Sequence, residues 1–240
     1  MNKSLSGIGL NMIALQTSHD AKRLTTTEEV FRQLRSDIIA LRLLPGSKIS
    51  EVEVAKACNV SRQPVREAFM RLGELNLLEI RPQRATRVRK ISHEDLRNTR
   101  FIRAALEVEI VRTACEVATK ESLTLLEENL KLQRGAVETG NADELHALDY
   151  EFHKLICDAA NCSLAFKTIA EIKTHTDRVC MLELSDAAGR LEVLEGHTDI
   201  FNALSVGDEE TAVAMMRLHL RHLDGTLATA CENYPDFFEE

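Results

Sequence analysis

The sequence predicts a mainly α-helical chain in two parts: a short basic module of helices and a small hairpin, then an all-helical bundle of about six helices. Three observations predict it. Apolar residues recur at three- and four-residue spacings through most of the chain, the period of an amphipathic helix. Gly and Pro number only 10 and 4 in 240 residues, too few for the many tight turns of an all-β chain. The charge is also uneven. Residues 1–100 carry 18 Lys and Arg against 11 Asp and Glu, a net of +7, whereas residues 101–240 carry 12 against 27, a net of −15.

Composition excludes several classes. A hydrophobic fraction of 44% supports a buried core and argues against a disordered chain. No apolar run approaches the ~18 residues needed to span a bilayer, so no membrane role is expected. Residues 1–24 read as a polar tail without the basic head and compact apolar stretch of a secretory signal. The six Cys, at 58, 115, 157, 162, 180 and 231, form no CxxC pair. They read as reduced, packed thiols in a cytoplasmic protein.

The first module spans residues 25–91. Thr25 or Thr26 caps its first helix, with Glu28 or Glu29 three residues on, and Val30, Leu34, Ile38 and Leu41 make one apolar face. Leu44-Pro45-Gly46 stops it. Ser50-Glu-Val-Glu53 is a second capping box, opening a short helix to about Cys58. Asn59 and Val60 make a tight connection, and Ser61 caps a third helix with Pro64 in its first turn. Val65, Phe69 and Leu72 face inward there, leaving Arg62, Gln63, Arg66 and Arg71 on the other side. Leu77–Ile80 reads as a strand, 81–84 as a turn, and Thr86–Lys90 as a return strand. Two short helices with a tight turn and a basic hairpin make a winged helix-turn-helix.

A cation on one helix more often solvates a surface than reads DNA. Here the cations gather on the two elements that a winged helix lays beside a duplex, which favours DNA. Arg62 and Arg66 are the candidates for base readout, because a guanidinium pairs with guanine O6 and N7 through two parallel hydrogen bonds. Gln63 suits adenine or a phosphate. Ser61, Arg84 and Arg87 suit the phosphate backbone, which positions rather than specifies. The stretch EVEVAKACNVSRQPVREA, Glu51 to Ala68, resembles the winged-helix signature of GntR-superfamily bacterial transcription regulators, the FadR/VanR-like branch above all. The resemblance implies that Arg62 and Arg66 touch operator bases. Two positions depart from the pattern: Ala85 stands where family wings have Gly, and Val52 stands where some members have Arg.

The body, residues 92–232, opens at Ser92-His-Glu-Asp95 and is followed by a short tail, 233–240. Leu96, Ile102, Leu106, Ile110 and Val117 fit its first helix, and Leu123, Leu126, Leu130 and Val137 its second. Asn141 caps a third, to about Ala160. A fourth covers about 163–184, a fifth about 187–206 before Gly207, and Asp208 caps a sixth reaching about Cys231.

The histidines are informative. Asp149 and His153, four apart, share one face of the third body helix. His197 and His219 sit mid-helix among apolar neighbours on the fifth and sixth. Helical bundles build metal sites from facing helices in this way. Three imidazoles and a carboxylate suit a divalent ion, Zn²⁺ first and Ni²⁺ or Mn²⁺ as alternatives, with coordination positions left open. Spacing alone leaves a second reading open, that these are hydrogen-bonded core histidines. The pattern Asp149-x-x-x-His153, His197 in EGHTDI and His219 in MRLHL resembles the FCD effector-binding domain of the same branch. The resemblance implies a metal held by Asp149, His153, His197 and His219. It also makes Arg103, in Arg-Ala-Ala-Leu-Glu107, a candidate grip for an anionic effector.

His175 and Arg178 are further candidates for the same cavity, with a solvated face as the alternative. His222 reads as a near neighbour of the metal or a support for its ligands, and His19, His93 and His146 as surface residues. Cys157 and Cys162 read as core packing rather than ligands. Together these readings describe a bacterial regulator, not an enzyme. It binds a palindromic operator in double-stranded DNA as a homodimer, and it responds to a small carboxylate, with relief of repression as the expected sign. A metal-dependent hydrolase fused to a DNA-binding module and a direct metal sensor are the competing functions; against the hydrolase, no general acid or base is clearly placed beside the ligands, although Glu151 and Glu195 are close in sequence.

Overall fold

The computed structural model describes residues 25–81 and 83–239, so the expected tail at 1–24 and His19 lie outside the described residues. The chain divides into two compact units between Lys90 and Ile91.

The first unit contains α1 (Thr26–Ile39), α2 (Glu51–Ala57), α3 (Arg62–Glu74), β1 (Leu78–Glu79) and β2 (Arg87–Val88). Thr25 caps α1, its hydroxyl accepting from the Glu28 N–H. Val30, Leu34 and Ile38 are fully buried. Leu41 is not on that face, because the helix stops at Ile39, well before Pro45. Leu41 takes φ 57°, and Arg42 folds back onto Asp37 at 2.7 Å, which closes the end. Asn59 supplies the left-handed residue (φ 52°) of the tight turn between α2 and α3, a conformation Asn tolerates. Val65, Phe69 and Leu72 bury against α1, so the third helix presents the inward face its pattern predicts. The hairpin is antiparallel, Leu78 opposite Val88 and Glu79 opposite Arg87. The segment before α2 flanks β2: the Gly46 N–H donates to Val88 O and the Val88 N–H to Ser47 O. Ser50 and Ser61 occupy N-cap positions but make no side-chain cap hydrogen bond, unlike Thr25.

The second unit contains α4 (His93–Val117), α5 (Lys120–Thr139), α6 (Ala142–Ala159), α7 (Ser163–Leu184), α8 (Ala187–Ser205) and α9 (Glu209–Asn233), then a 3-10 turn at Pro235–Phe237. Ser92, Asn141 and Asp208 cap as expected, accepting from the N–H groups of Asp95, Glu144 and Thr211. Gly207 takes φ 71°, which ends the run after α8. The core gathers Val111, Ala114, Leu126, Phe152, Ile156, Ile169, Ile200 and Met216 among others.

Two expectations change. Ile102 and Val117 are exposed, 38% and 42%, because the inward stripe of α4 runs through Leu96, Thr99, Arg103, Glu107 and Val111 instead. Residues 233–239 are docked rather than trailing. Phe238 is buried, the Ile91 N–H donates to Phe237 O, and the Glu239 N–H donates to Ile91 O. The His93 ring stacks on Phe238 with centroids 5.4 Å apart, so His93 packs rather than standing free.

Candidate functional site

The four candidate ligands come together. α6 supplies Asp149 and His153 one turn apart, α8 supplies His197 and α9 supplies His219, with ligand atoms all within 4.8 Å of one another. His219 Nε2 lies 3.3 Å from His153 Nε2. Asp149 Oδ1 lies 3.6 Å from His153 Nε2 and 3.4 Å from His197 Nε2. Close approach of α8 to α9 depends on Gly196: a Cβ there would stand 3.1 Å from His219 Nδ1. The His197 ring is clamped by Phe152, stacked at a centroid distance of 4.2 Å.

The remaining ring nitrogens set which way each imidazole faces. His153 Nδ1 lies 2.5 Å from Glu107 Oε2, and His197 Nδ1 lies 2.8 Å from Gln133 Oε1. A carboxylate and an amide oxygen only accept, so each Nδ1 carries the proton and each Nε2 faces the shared point. Gln133 is oriented in turn by donating to Asn129 Oδ1 at 2.6 Å. His197 Nε2 is buried and makes no hydrogen bond. A buried nitrogen lone pair with no donor, facing other donor atoms, is what a cation would satisfy, so the residues fit a divalent ion.

Charges around the cluster are tightly opposed. Burial works against the charge of Asp149, but Lys173 and the neighbouring rings of His153 and His197 hold its carboxyl well below the usual range. Burial likewise opposes the Lys173 ammonium, and Asp149 and Asp177 outweigh it, at 2.9 and 3.0 Å. Burial, then neighbouring imidazoles, push His219 well down. Burial also lowers His197 despite the Asp149 carboxylate 3.4 Å away. For His153 burial is outweighed by Glu107 and Asp149, and the imidazole is raised. Arg103 and Glu107, both buried, pair at 2.6 Å on α4, and Arg103 Nη2 sits 3.5 Å from His153 Nε2.

Asp149 and His219 line a cavity of about 320 Å³, together with Arg103, His146, Lys173, Glu183, Glu192 and Glu195. His153 and His197 lie behind them, fully buried, so the cluster is closed at the back and open to the cavity. His175 and Arg178 do not line it. On α7 the lining positions are 173, 180, 183 and 184, and 175 and 178 are not among them; His175 Nδ1 lies 3.8 Å from Asp95 Oδ2. His146 is not a surface residue: it lines the cavity and lies 3.2 Å from Asp177 Oδ1. Cys157 and Cys162 pack into the core, and burial pushes the Cys157 thiol up to about 12. Sequence spacing missed Glu107, Gln133, Lys173 and Asp177. A polar i, i+4 pair on an otherwise apolar stripe, Arg103/Glu107 and Asn129/Gln133, was the available signal.

In the first unit Ser61, Arg62, Gln63, Arg66, Arg84 and Arg87 are all exposed. Arg62 Nη2 and Arg66 Nε lie 3.6 and 3.5 Å from Glu51 Oε2, while Arg87 Nη1 donates to Gly46 O at 2.6 Å.

Two family models match the chain: "Bacterial regulatory proteins, gntR family" over residues 26–88, and "FCD domain" over residues 99–222. The HTH-type transcriptional repressor RspR of Escherichia coli K12 is 38% identical over 213 residues, covering 89% of this chain and 93% of that protein. The Nta operon transcriptional regulator of Aminobacter aminovorans is 30% identical, covering 79% and 89%. Escherichia coli McbR/YncC shares the fold with a TM-score of 0.71 at 23% identity, covering 88% of this chain and all of that one. The chain therefore belongs to the GntR family of bacterial transcription regulators, with a helix-turn-helix module followed by an FCD domain.

Proposed function

We propose that this protein is a repressor whose grip on a palindromic operator is relieved by a small organic acid bound at a metal-centred pocket. The convergence of Asp149, His153, His197 and His219 on one point at a cavity wall carries this reading. The repressor sign is supported by the resemblance to a relative named as a repressor. A divalent ion held there would supply an open coordination position that draws a carboxylate or hydroxy-acid oxygen.

The chain's own residues do the rest. Glu107 and Gln133 keep the Nδ1 protons of His153 and His197, so both rings stay aimed. Lys173 keeps Asp149 ionised. Arg103, its Nε held by Glu107, offers a guanidinium edge beside the cluster for a second ligand oxygen. In the first unit α3 enters the major groove with Arg62 and Arg66 toward base edges. The α3 N-terminus lacks a side-chain cap bond and offers its N–H groups at Ser61 to a phosphate. Two copies on a two-fold axis would demand related half-sites. Only four residues separate Val88 of the wing from His93, where α4 begins. A ligand that pulls on Arg103 acts on α4, the helix that follows the DNA-binding unit in the chain, and it shifts operator affinity only through unequal affinity for two states of the protein.

The test is fluorescence anisotropy on duplex DNA from upstream of the protein's own gene, with a panel of organic acids. The expected result is at least tenfold weaker DNA binding with one acid, dependent on metal, and loss of that response in His153→Ala/His219→Ala with DNA binding kept. An undiminished response in that variant, or unchanged metal content, overturns the reading.

A further inference from the structure

A second group of ligand-type side chains lies on the same cavity, one helical turn from the first along α9. Glu183 of α7, Glu192 of α8 and His222 of α9 place their ligand atoms within 4.8 Å of one another. His222 Nε2 lies 2.7 Å from Glu183 Oε1 and 2.6 Å from Glu192 Oε2. All three residues line the cavity that Asp149 and His219 line. We propose that Glu183, Glu192 and His222 form a second divalent-cation site, with ligands distinct from the four already described.

Three observations carry the proposal. The first is charge. Two carboxylates face one another here, and no Lys or Arg is paired with either among the described residues. Burial pushes the Glu183 carboxyl up to about 7; with both carboxyls ionised, a protonated His222 leaves the group at −1, whereas a divalent ion with neutral His222 brings it to zero. The second is an orphan. Glu183 is 8% exposed, and its Oε1 accepts no hydrogen bond although His222 Nε2 stands 2.7 Å away. A buried carboxylate oxygen in that position is costly unless a cation meets it. The third is the support behind it. Gly189 lets the α7–α8 turn pack against Glu183, since a Cβ there would fall 2.4 Å from Glu183 O and 2.9 Å from its Cγ.

One imidazole and two carboxylates suit Zn²⁺ or Mn²⁺ and leave positions open. Glu192 and His222 are half-exposed on the cavity side, so the ion would meet a ligand entering the cavity. With both sites filled, an anion of two acidic groups could span them.

The experiment is Zn²⁺ titration of chelator-stripped full-length protein, with zinc per chain measured by elemental analysis after gel filtration. Wild type is expected to retain two equivalents. Glu192→Gln/His222→Gln, chosen because both side chains are half-exposed, is expected to retain one. His153→Ala/His219→Ala is expected to retain one, and the quadruple variant none. Melting curves and circular dichroism confirm that each variant is folded. A single equivalent in wild type that survives Glu192→Gln/His222→Gln, or two equivalents unchanged by that double substitution, overturns the proposal. Retention of the Glu192- and His222-dependent equivalent, with no loss in His153→Ala/His219→Ala, would overturn the four-ligand reading and leave this one standing.

Discussion

His153 Nδ1 lies 2.5 Å from Glu107 Oε2, and the same Glu107 carboxylate holds Arg103 at 2.6 Å, so one acidic side chain of α4 orients an imidazole of α6 and a guanidinium at once. Burial disfavours the Glu107 charge, but Arg103 and His153 outweigh it and its carboxyl stays far below the ordinary range. Glu107→Gln should therefore act twice. It leaves Arg103 buried without its counter-charge, costing about 3–5 kcal/mol in urea unfolding. It also weakens divalent-ion affinity by about 10–100-fold in chelator competition, as loss of a partner behind a ligating imidazole does. Stability within ~1 kcal/mol of wild type would contradict the pairing.

Gly196→Ala separates packing from ligation. Alanine gains about 0.8–1.0 kcal/mol of intrinsic helix propensity over glycine. Its Cβ would stand 3.1 Å from His219 Nδ1, so the ring must give by a few tenths of an ångström and turn Nε2 away from the shared point. The expected result is a melting temperature equal to or above that of wild type, with roughly tenfold weaker metal binding. Equal loss of both would point to a general packing fault instead.

Asp177 is buried between Lys173 at 3.0 Å, His146 at 3.2 Å and the Tyr150 hydroxyl at 2.6 Å. Burial opposes its charge, yet Lys173 and then His146 hold its carboxyl below the usual range. A depressed carboxyl contributes stability above its unfolded value of about 3.9, and that contribution is lost as pH falls through the folded value. Asp177→Asn should cost about 3–5 kcal/mol at pH 7 and 5, with the gap to wild type narrowing as pH drops toward 3. A gap that stays constant from pH 7 to 3 would show that the charge is not the cause.

Arg62 and Arg66 are exposed on α3, each with Glu51 Oε2 at 3.5–3.6 Å, so removing either leaves no buried gap. Arg62→Ala and Arg66→Ala should leave thermal stability within ~0.5 kcal/mol. Each should cost about 1–3 kcal/mol of discrimination between operator and unrelated DNA. Arg84→Ala should weaken both DNAs alike and reduce the salt slope by about one. Full operator preference in both α3 variants would reassign the reading helix.

The helical pattern carried most of the fold because amphipathic periodicity and caps are local. Thr25, Ser92, Asn141 and Asp208 announce helix starts by the N–H groups they accept, and the apolar spacing marks which face turns inward. That logic failed on α4, where Ile102 and Val117 keep the spacing but face solvent. The true inward stripe there carries Arg103 and Glu107, which hydropathy reads as surface. His146 failed for the same reason: its acceptor, Asp177, lies 31 residues away on another helix.

The sequence by itself determined the two-part chain and the winged helix-turn-helix, because each rests on spacing along one helix or on a contiguous motif; the set Asp149, His153, His197 and His219 came from the resemblance, since spacing alone left hydrogen-bonded core histidines open. Only the tertiary structure decided which partners stand behind those imidazoles, that His175 and Arg178 point away from the cavity, and that Glu183, Glu192 and His222 meet. Contacts between helices depend on their packing and rotation, and periodicity along a single helix carries no information about what another helix brings opposite.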